Sequence, residues 1–363
     1  MSQPATLSFA RGAPSLDIID VDGLHEAAHR AFNNDPGGAT AYGTAVGYLP
    51  LRRWIAERHG VAEDQVLVTN GSMQADAFLF DELVGADDSV VVERPSYDRT
   101  LLSLRQHGAA LTAIPLEPDG IDTDALAQAL AGGLRPKLAH IIPNFHNPAG
   151  YTLSGPKRRR LLELAAEHGF TIFEDDPYIA LRFRGETLPT MLSLDGGGGN
   201  VVYASSFSKT VCPGIRVGFL IGAPELIARI VVRATNTYIS PSMVDAAIVY
   251  EFCASGAIER SIERVRAALE ERVGTLATAL REQIPGVSFV APDGGYFLWV
   301  SLPEGVEPGA VLKAAAAHGL ALVSGDDFVI DGGSGAVRLA FSGVTPEEIR
   351  EGVTRLAAAL ATL

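Results

Sequence analysis

The sequence predicts an α/β protein: a large domain with a mostly parallel seven-stranded sheet between helices, and a smaller α+β domain. Three observations carry this. From residue 66 to 222, short β-branched runs alternate with helix-like stretches, as in a parallel sheet covered on both faces. Several of these runs are apolar almost throughout, as strands buried on both faces are. After about residue 242 the pattern changes to one long helical stretch followed by short strands.

In order, the strands of the large domain are expected at 66-VLVTN, 89-SVVVE, 111-LTAIPL, 138-LAHIIPN, 170-FTIFED, 201-VVYASS and 216-RVGFLIG. Helical patterns such as 72-SMQADAFLFDELV and 157-KRRRLLELAAEHG separate them. The basic run 157-KRRR reads as a solvated first helix turn. The glycine run at 196 reads as a loop tip. The stretch 242–283 is helical in pattern, with Gly256 and Gly274 as its weak points, and suits a connection between domains. The smaller domain then has strands at 287-VSFVAP, 295-GYFLWVSL, 320-LALVSG and 336-AVRLAFSG, with helices at about 308–318 and 346–362. The N-terminal segment lacks a core of its own and is expected to pack on this second unit. The domain limits are therefore 34–241 for the large domain, and 1–33 with 242–363 for the small one.

Composition narrows the function classes. A formal net charge of −14 argues against a nucleic-acid or anionic-membrane surface. Two cysteines, Cys212 and Cys253, make no disulfide framework and suit the cytoplasm. The start shows no signal-peptide pattern, and no segment approaches a membrane span. The eight histidines form no dense ligand cluster, so non-metal chemistry is favoured.

Ligands of open α/β sheets sit beyond the carboxyl ends of the strands, so the candidate chemistry lies in the residues that follow them. After the first strand, Gly71 permits a tight turn and Ser72 can open a helix whose free N–H groups suit a phosphate. After the second, Tyr97 can stack on a flat ring, or simply pack. After the fourth, Asn147 precedes a proline that holds it extended. After the fifth, 174-EDD places three acids at the end of a buried strand, which is costly unless they are paired. A carboxylate there wants a buried cation or a protonated ring nitrogen. After the sixth, 205-SSFSKTVCPGIR brings Ser206, Ser208, Lys209 and Arg216 together. This is a nucleophilic amine beside an anion site. Each feature alone has a plain structural reading, as a capped helix, a turn or a surface loop. Their succession at consecutive strand ends does not.

Over nearly its whole length the chain resembles the fold type I pyridoxal-phosphate aminotransferases of class I/II. Within these it is most similar to the branch of aminoadipate and kynurenine aminotransferases and MocR-like domains. The motifs are YG…GYLPLR (42–52), GSMQ (71–74), ERPSY (93–97), PNFHNPAG (143–150), EDDPY (174–178), SSFSKTVCPGIRVG (205–218), PDGGYFLW (292–299) and VRLAFS (337–342).

The resemblance implies pyridoxal 5′-phosphate as cofactor, an amino acid and a 2-oxo acid (2-oxoglutarate being the usual acceptor) as substrates, and a ping-pong transamination. It implies that Lys209 bonds covalently to the cofactor and moves the proton at the substrate α-carbon. It makes Asp175 the partner of the ring nitrogen, Tyr178 and Asn147 the partners of the ring oxygen, and Tyr97 the stacking aromatic. Ser72, Ser206, Ser208 and Arg216 become the phosphate ligands, with Met73 contributing its backbone N–H. Tyr42 would reach the phosphate of a neighbouring subunit, which implies a homodimer with shared active sites. Arg338 would grip the substrate α-carboxylate. Met73, His146 and Arg11 depart from the pattern, and Arg11 is expected to contact the distal part of the substrate unless it merely faces solvent. Another reaction at the α- or β-carbon on the same scaffold is the alternative. A DNA-binding regulator would need a winged helix before the cofactor domain, which here starts almost at residue 1.

Overall fold

The computed structural model describes residues 6–363. Its main sheet has eight strands: β2 (Val66–Thr69), β3 (Ser89–Arg94), β4 (Ala110–Glu117), β5 (Gly120–Ile121), β6 (Pro136–Ile141), β7 (Thr171–Asp175), β8 (Val201–Ser206) and β9 (Gly218–Ile221). Their spatial order is β2-β9-β8-β7-β6-β3-β4-β5. The run β8-β7-β6-β3-β4 is parallel. Strand β9 is antiparallel to both its neighbours, and β5 is a two-residue antiparallel edge. Seven of the eight are the expected strands. The eighth was too short to show a period.

Strands β6, β7 and β8 lie at the middle of the sheet, and both faces of each are covered, so their residues are buried almost throughout. The smaller unit joins β10 (Phe297–Ser301), β12 (Val323–Ser324) and β13 (Ala336–Ala340) in a second sheet, while β1 (Leu7–Ser8) pairs in parallel with β11 (Leu320–Ala321). Phe9 is fully buried in this unit's core, which anchors the first described residues there. The next helix, Val21–Asn34, packs elsewhere. Its Ala27 and Ala31 join Tyr48, Phe252 and the aromatic residues of β8 and β9 in a cluster under the large sheet.

Two local expectations need correction. The long helical pattern breaks at Gly256, which takes a left-handed conformation (φ 74°) between helices Met243–Ala254 and Ala257–Gln283. Glycine adopts that conformation without Cβ strain, so the chain turns there, whereas Gly274 stays helical. The segment 287–292 forms no strand, only a bridge from Ser288 to Ser301. Pro285 and Pro292 bracket it and leave no length for a ladder.

The run 157-KRRR is also less solvated than its charge suggests. Lys157 pairs with Glu117 and Asp119. Arg158 is fully buried and donates to the carbonyls of Leu153 (3.0 Å) and Pro189 (2.8 Å) and to Asn144 Oδ1 (2.9 Å). It ties helix Gly155–His168 to the loops at the carboxyl end of β6. Removing it strands buried acceptors, so Arg158→Met should cost the apoprotein about 3–5 kcal/mol in urea unfolding. A loss below about 1 kcal/mol would contradict this role.

Candidate active site

The carboxyl ends of β6, β7 and β8 open into one cavity of 240 Å³. Strand alternation decides which acid of 174-EDD enters it. Glu174 accepts from the backbone N–H of Met191 and Leu192, both at 2.8 Å. Asp176 accepts from Asn144 Nδ2 at 2.9 Å, with Arg158 nearby. Burial raises both, Glu174 to about 7 and Asp176 to about 8. Asp175 points the other way, into the cavity, 5% exposed, and His140 Nε2 lies 3.4 Å from its Oδ2. Three adjacent acids are thereby divided into two structural groups and one free to meet a ligand.

Lys209 follows β8 on a tight turn. Its Nζ donates to the carbonyl of Gly12 at 3.0 Å and lies 5.8 and 5.3 Å from the ring centres of Tyr178 and Tyr296. Burial, then the positive charges of Arg216 and Arg338, lower its amine to about 8, against the opposing pull of Asp175. Near neutral pH a useful fraction is therefore uncharged.

At one end of the cavity stand Ser72, Met73, Ser206, Ser208 and Arg216. Ser206 Oγ donates to Ser208 Oγ at 2.9 Å, and Arg216 Nη1 donates to the same oxygen at 3.3 Å. Arg216 itself takes a left-handed backbone (φ 49°). Gly71 makes room for it, since a Cβ there would lie 2.2 Å from Arg216 Nη2. A Cβ on Gly218 would meet the backbone N of Ser72 at 2.5 Å, so the helix start is pressed against β9. Hydroxyls, a guanidinium and a helix N-terminus converge there as an anion site.

At the other end, Tyr97, Asn147 and Tyr178 line the wall, and Arg11 lies at the rim with an exposed side chain. Tyr178 is 4% exposed and its hydroxyl is held well above its usual pKa, mainly by burial. Tyr97 is pushed up to about 12, again mainly by burial. Arg338, on β13 of the smaller unit, donates from Nη1 to Asn147 Oδ1 (2.8 Å) and from Nη2 to Ala10 O (2.7 Å). The rings of Phe297 and Phe328 lie 4.4 and 4.8 Å from its guanidinium carbon, and its Nε is buried without a partner. The guanidinium thus sits between two rings with its Nε–H unused.

Of the expected residues, Arg338 and Tyr42 do not line the cavity: Arg338 borders it through its bond to Asn147, whereas Tyr42 stands apart, 89% exposed. The departure at His146 has a local explanation. Its Nε2 sits 3.0 Å from Glu93 Oε2, and both side chains are buried. The sequence reading missed Asp76, Tyr296 and the Gly12 carbonyl, all at this site. Asp76 could have been found, since it lies four residues after Ser72 and so on the same helix face. The Gly12 carbonyl carries no side-chain signal.

Such a cavity, at the carboxyl ends of a parallel sheet and closed by a smaller unit, belongs to the α/β enzymes that hold a phosphorylated cofactor on a lysine. The comparisons agree. Residues 7–356 match the family model for aminotransferase class I and II. A 2-aminoadipate transaminase from Thermus thermophilus is 34% identical over 99% of this chain and 91% of its own length. An aromatic-amino-acid aminotransferase from Thermococcus litoralis is 32% identical over 97% of this chain and 87% of its own. Among solved structures, the α-aminoadipate aminotransferase LysN of Thermus thermophilus, complexed with N-(5′-phosphopyridoxyl)-L-leucine, superposes with a TM-score of 0.94 at 33% identity. That match covers 98% of this chain and 92% of the other.

The chain belongs to the class I and II aminotransferases. It is a fold type I enzyme that uses pyridoxal 5′-phosphate to move an amino group from an amino acid to a 2-oxo acid.

The lowered amine predicts a pH signature. A lysine whose folded pKa is about 8, against an ordinary 10.5, gives up its proton first in the folded state. Its contribution therefore makes the apoprotein more stable as pH rises from about 8 to about 10.5, and is flat below that window. Lys209→Met should flatten this slope in unfolding midpoints measured across the range. An unchanged slope would place the amine in water.

Proposed function

We propose that this cavity holds pyridoxal 5′-phosphate on Lys209, with the phosphate between Ser72, Ser206, Ser208 and Arg216 and the ring nitrogen toward Asp175. The donor chemistry fits that group. Clustered hydroxyls and a guanidinium suit a phosphate, a buried carboxylate suits a cationic ring nitrogen, and a lowered amine suits an aldehyde. The Gly71 cradle supports the same reading, since a side chain there would displace Arg216. When bound, the cofactor supplies an electron sink for the charge left on the substrate α-carbon.

The protein's own groups do the rest. Lys209 Nζ would hold the cofactor and, when not bonded to it, would take up and hand on the proton at the substrate α-carbon. Asp175 keeps a proton at the ring nitrogen. Tyr178 and Asn147 would donate to the ring oxygen, and Tyr97 would cover the ring. Met73 contributes its N–H to the phosphate, since its side chain is 49% exposed. Arg338 clamps the α-carboxylate with its planar fork, a task for which Phe297 and Phe328 exclude water. Arg11 reads the distal end of the substrate.

The relatives' names support amino donors of the aminoadipate or aromatic kind, and 2-oxoglutarate is the acceptor proposed with them. Tyr42, left exposed by its own chain, reaches the phosphate of a second copy in a homodimer. Two free thiols fit a cytoplasmic enzyme, and the net charge of −14 fits one without nucleic-acid or membrane partners. The chain divides into a large domain, 34–241, and a small one, 1–33 with 242–363, whose helices Val21–Asn34 and Met243–Ala254 reach across to pack under the large sheet.

The observation that carries this reading is that one cavity brings Lys209 together with Asp175 and the hydroxyl–guanidinium cluster. Turnover of an amino-acid panel with 2-oxoglutarate tests it. Lys209→Ala should lose at least about 10³-fold in kcat. Arg338→Lys should raise KM for the amino acid by about 10-fold or more, since a point charge replaces a fork. Arg11→Ala should weaken acidic donors more than neutral ones. Normal turnover by Lys209→Ala would refute the assignment, and equal losses on both donor types would remove the role of Arg11.

A further inference from the structure

Asp76 is a buried acid that the reading above leaves without a task. It lies on helix Ser72–Leu83, is 7% exposed and lines the cavity together with Asp175. Its Oδ1 is shut off from water and has no hydrogen-bond partner among the described residues. Two cations that line the same cavity are engaged elsewhere. Lys209 donates to the Gly12 carbonyl, and Arg216 donates to Ser208 and to the backbone of Pro213 and Asn70. An apolar side chain would fill such a helix position at less cost, because an orphaned carboxyl pays a desolvation penalty and gains nothing. A carboxyl kept there, aimed into a cavity, is suited to a cationic or hydrogen-bond-donating ligand.

The groups around it come from every neighbouring element. Asp175 stands on β7, with His140 of β6 at 3.4 Å from it. Tyr97 follows β3, and Lys209 and Arg216 follow β8. Burial, then the charge of Asp175, hold the Asp76 carboxyl well above the usual carboxylate range. Two neighbouring carboxyls out of water do not both ionise unless a cation joins them.

We propose that Asp76 and Asp175 form a two-carboxyl seat for the ring nitrogen of pyridoxal 5′-phosphate, with Asp76 as a positioning residue that ionises when the ring cation arrives. This rests on the placement of the cofactor in this cavity. Before binding, the pair carries one proton and one negative charge. On binding, Asp76 releases its proton to water, and two carboxylates face one protonated ring nitrogen. No other bond is made or broken by Asp76.

The test uses apoprotein, pyridoxal 5′-phosphate, and 1-deazapyridoxal 5′-phosphate, which carries carbon in place of the ring nitrogen. Near pH 8, Asp76→Asn should raise Kd for the natural cofactor about tenfold and leave Kd for the deaza analogue within about twofold. Toward pH 6 the difference should narrow, because the wild-type pair must then give up a more tightly held proton. Calorimetry in two buffers should show wild type releasing about one proton more than Asp76→Asn on binding the natural cofactor. Wild type alone offers the same contrast, with more protons released for the natural cofactor than for the analogue, so the test survives a variant that fails to fold. Equal losses for both cofactors, or equal proton counts, would overturn the role of Asp76 while leaving the site intact. A wild-type protein that bound neither cofactor would overturn the site itself, and this proposal with it.

Discussion

Everything at this site depends on one constraint: an amine is kept partly uncharged inside a cavity that also contains a carboxylate. Lys209 is lowered to about 8 by burial and by Arg216 and Arg338, while Asp175 pulls the other way. The balance is set by position. The two guanidinia and the carboxylate arrive from three separate elements, the turn after β8, strand β13 and the end of β7. Moving either guanidinium would return the lysine toward its ordinary charged state, whereas moving the carboxylate would lower the amine further. The fold is therefore the means by which those groups are held at fixed places around a nucleophile.

The two units share this work. The large sheet supplies Asp175, Lys209 and the anion site at the ends of its central strands, as open parallel sheets do. The smaller unit supplies Arg338, and the bond from Arg338 to Asn147 crosses between β13 and the loop after β6. The N-terminal segment completes the enclosure with two backbone carbonyls: Gly12 O accepts from Lys209, and Ala10 O accepts from Arg338. Both donors are thus satisfied by acceptors that a substrate or cofactor can replace without leaving a buried charge bare.

Much of this was legible in the sequence, for identifiable reasons. Strands buried on both faces gave continuous apolar runs, so seven of the eight strands of the large sheet were placed, and the chemistry at their ends followed. The two-residue β5 and the break at Gly256 were not legible, because neither leaves a period to count. Arg158 was misread as solvated, since a basic run does not show which of its members turns inward. The division of 174-EDD was half legible. The cost of burying acids was clear, but only the pleat shows that Asp175 faces opposite to Glu174 and Asp176. Asp76 was overlooked because a lone acid inside a helical stretch shows no sign of whether it faces solvent or a cavity.

The central claim is that Lys209 Nζ is the atom that carries the cofactor. The most direct measurement is borohydride reduction of the protein supplied with pyridoxal 5′-phosphate, followed by peptide mass analysis. The expected result is a phosphopyridoxyl mass on the peptide containing Lys209 and on no other lysine. A protein that stays colourless and acquires no label at Lys209, with the cofactor in excess, would contradict it.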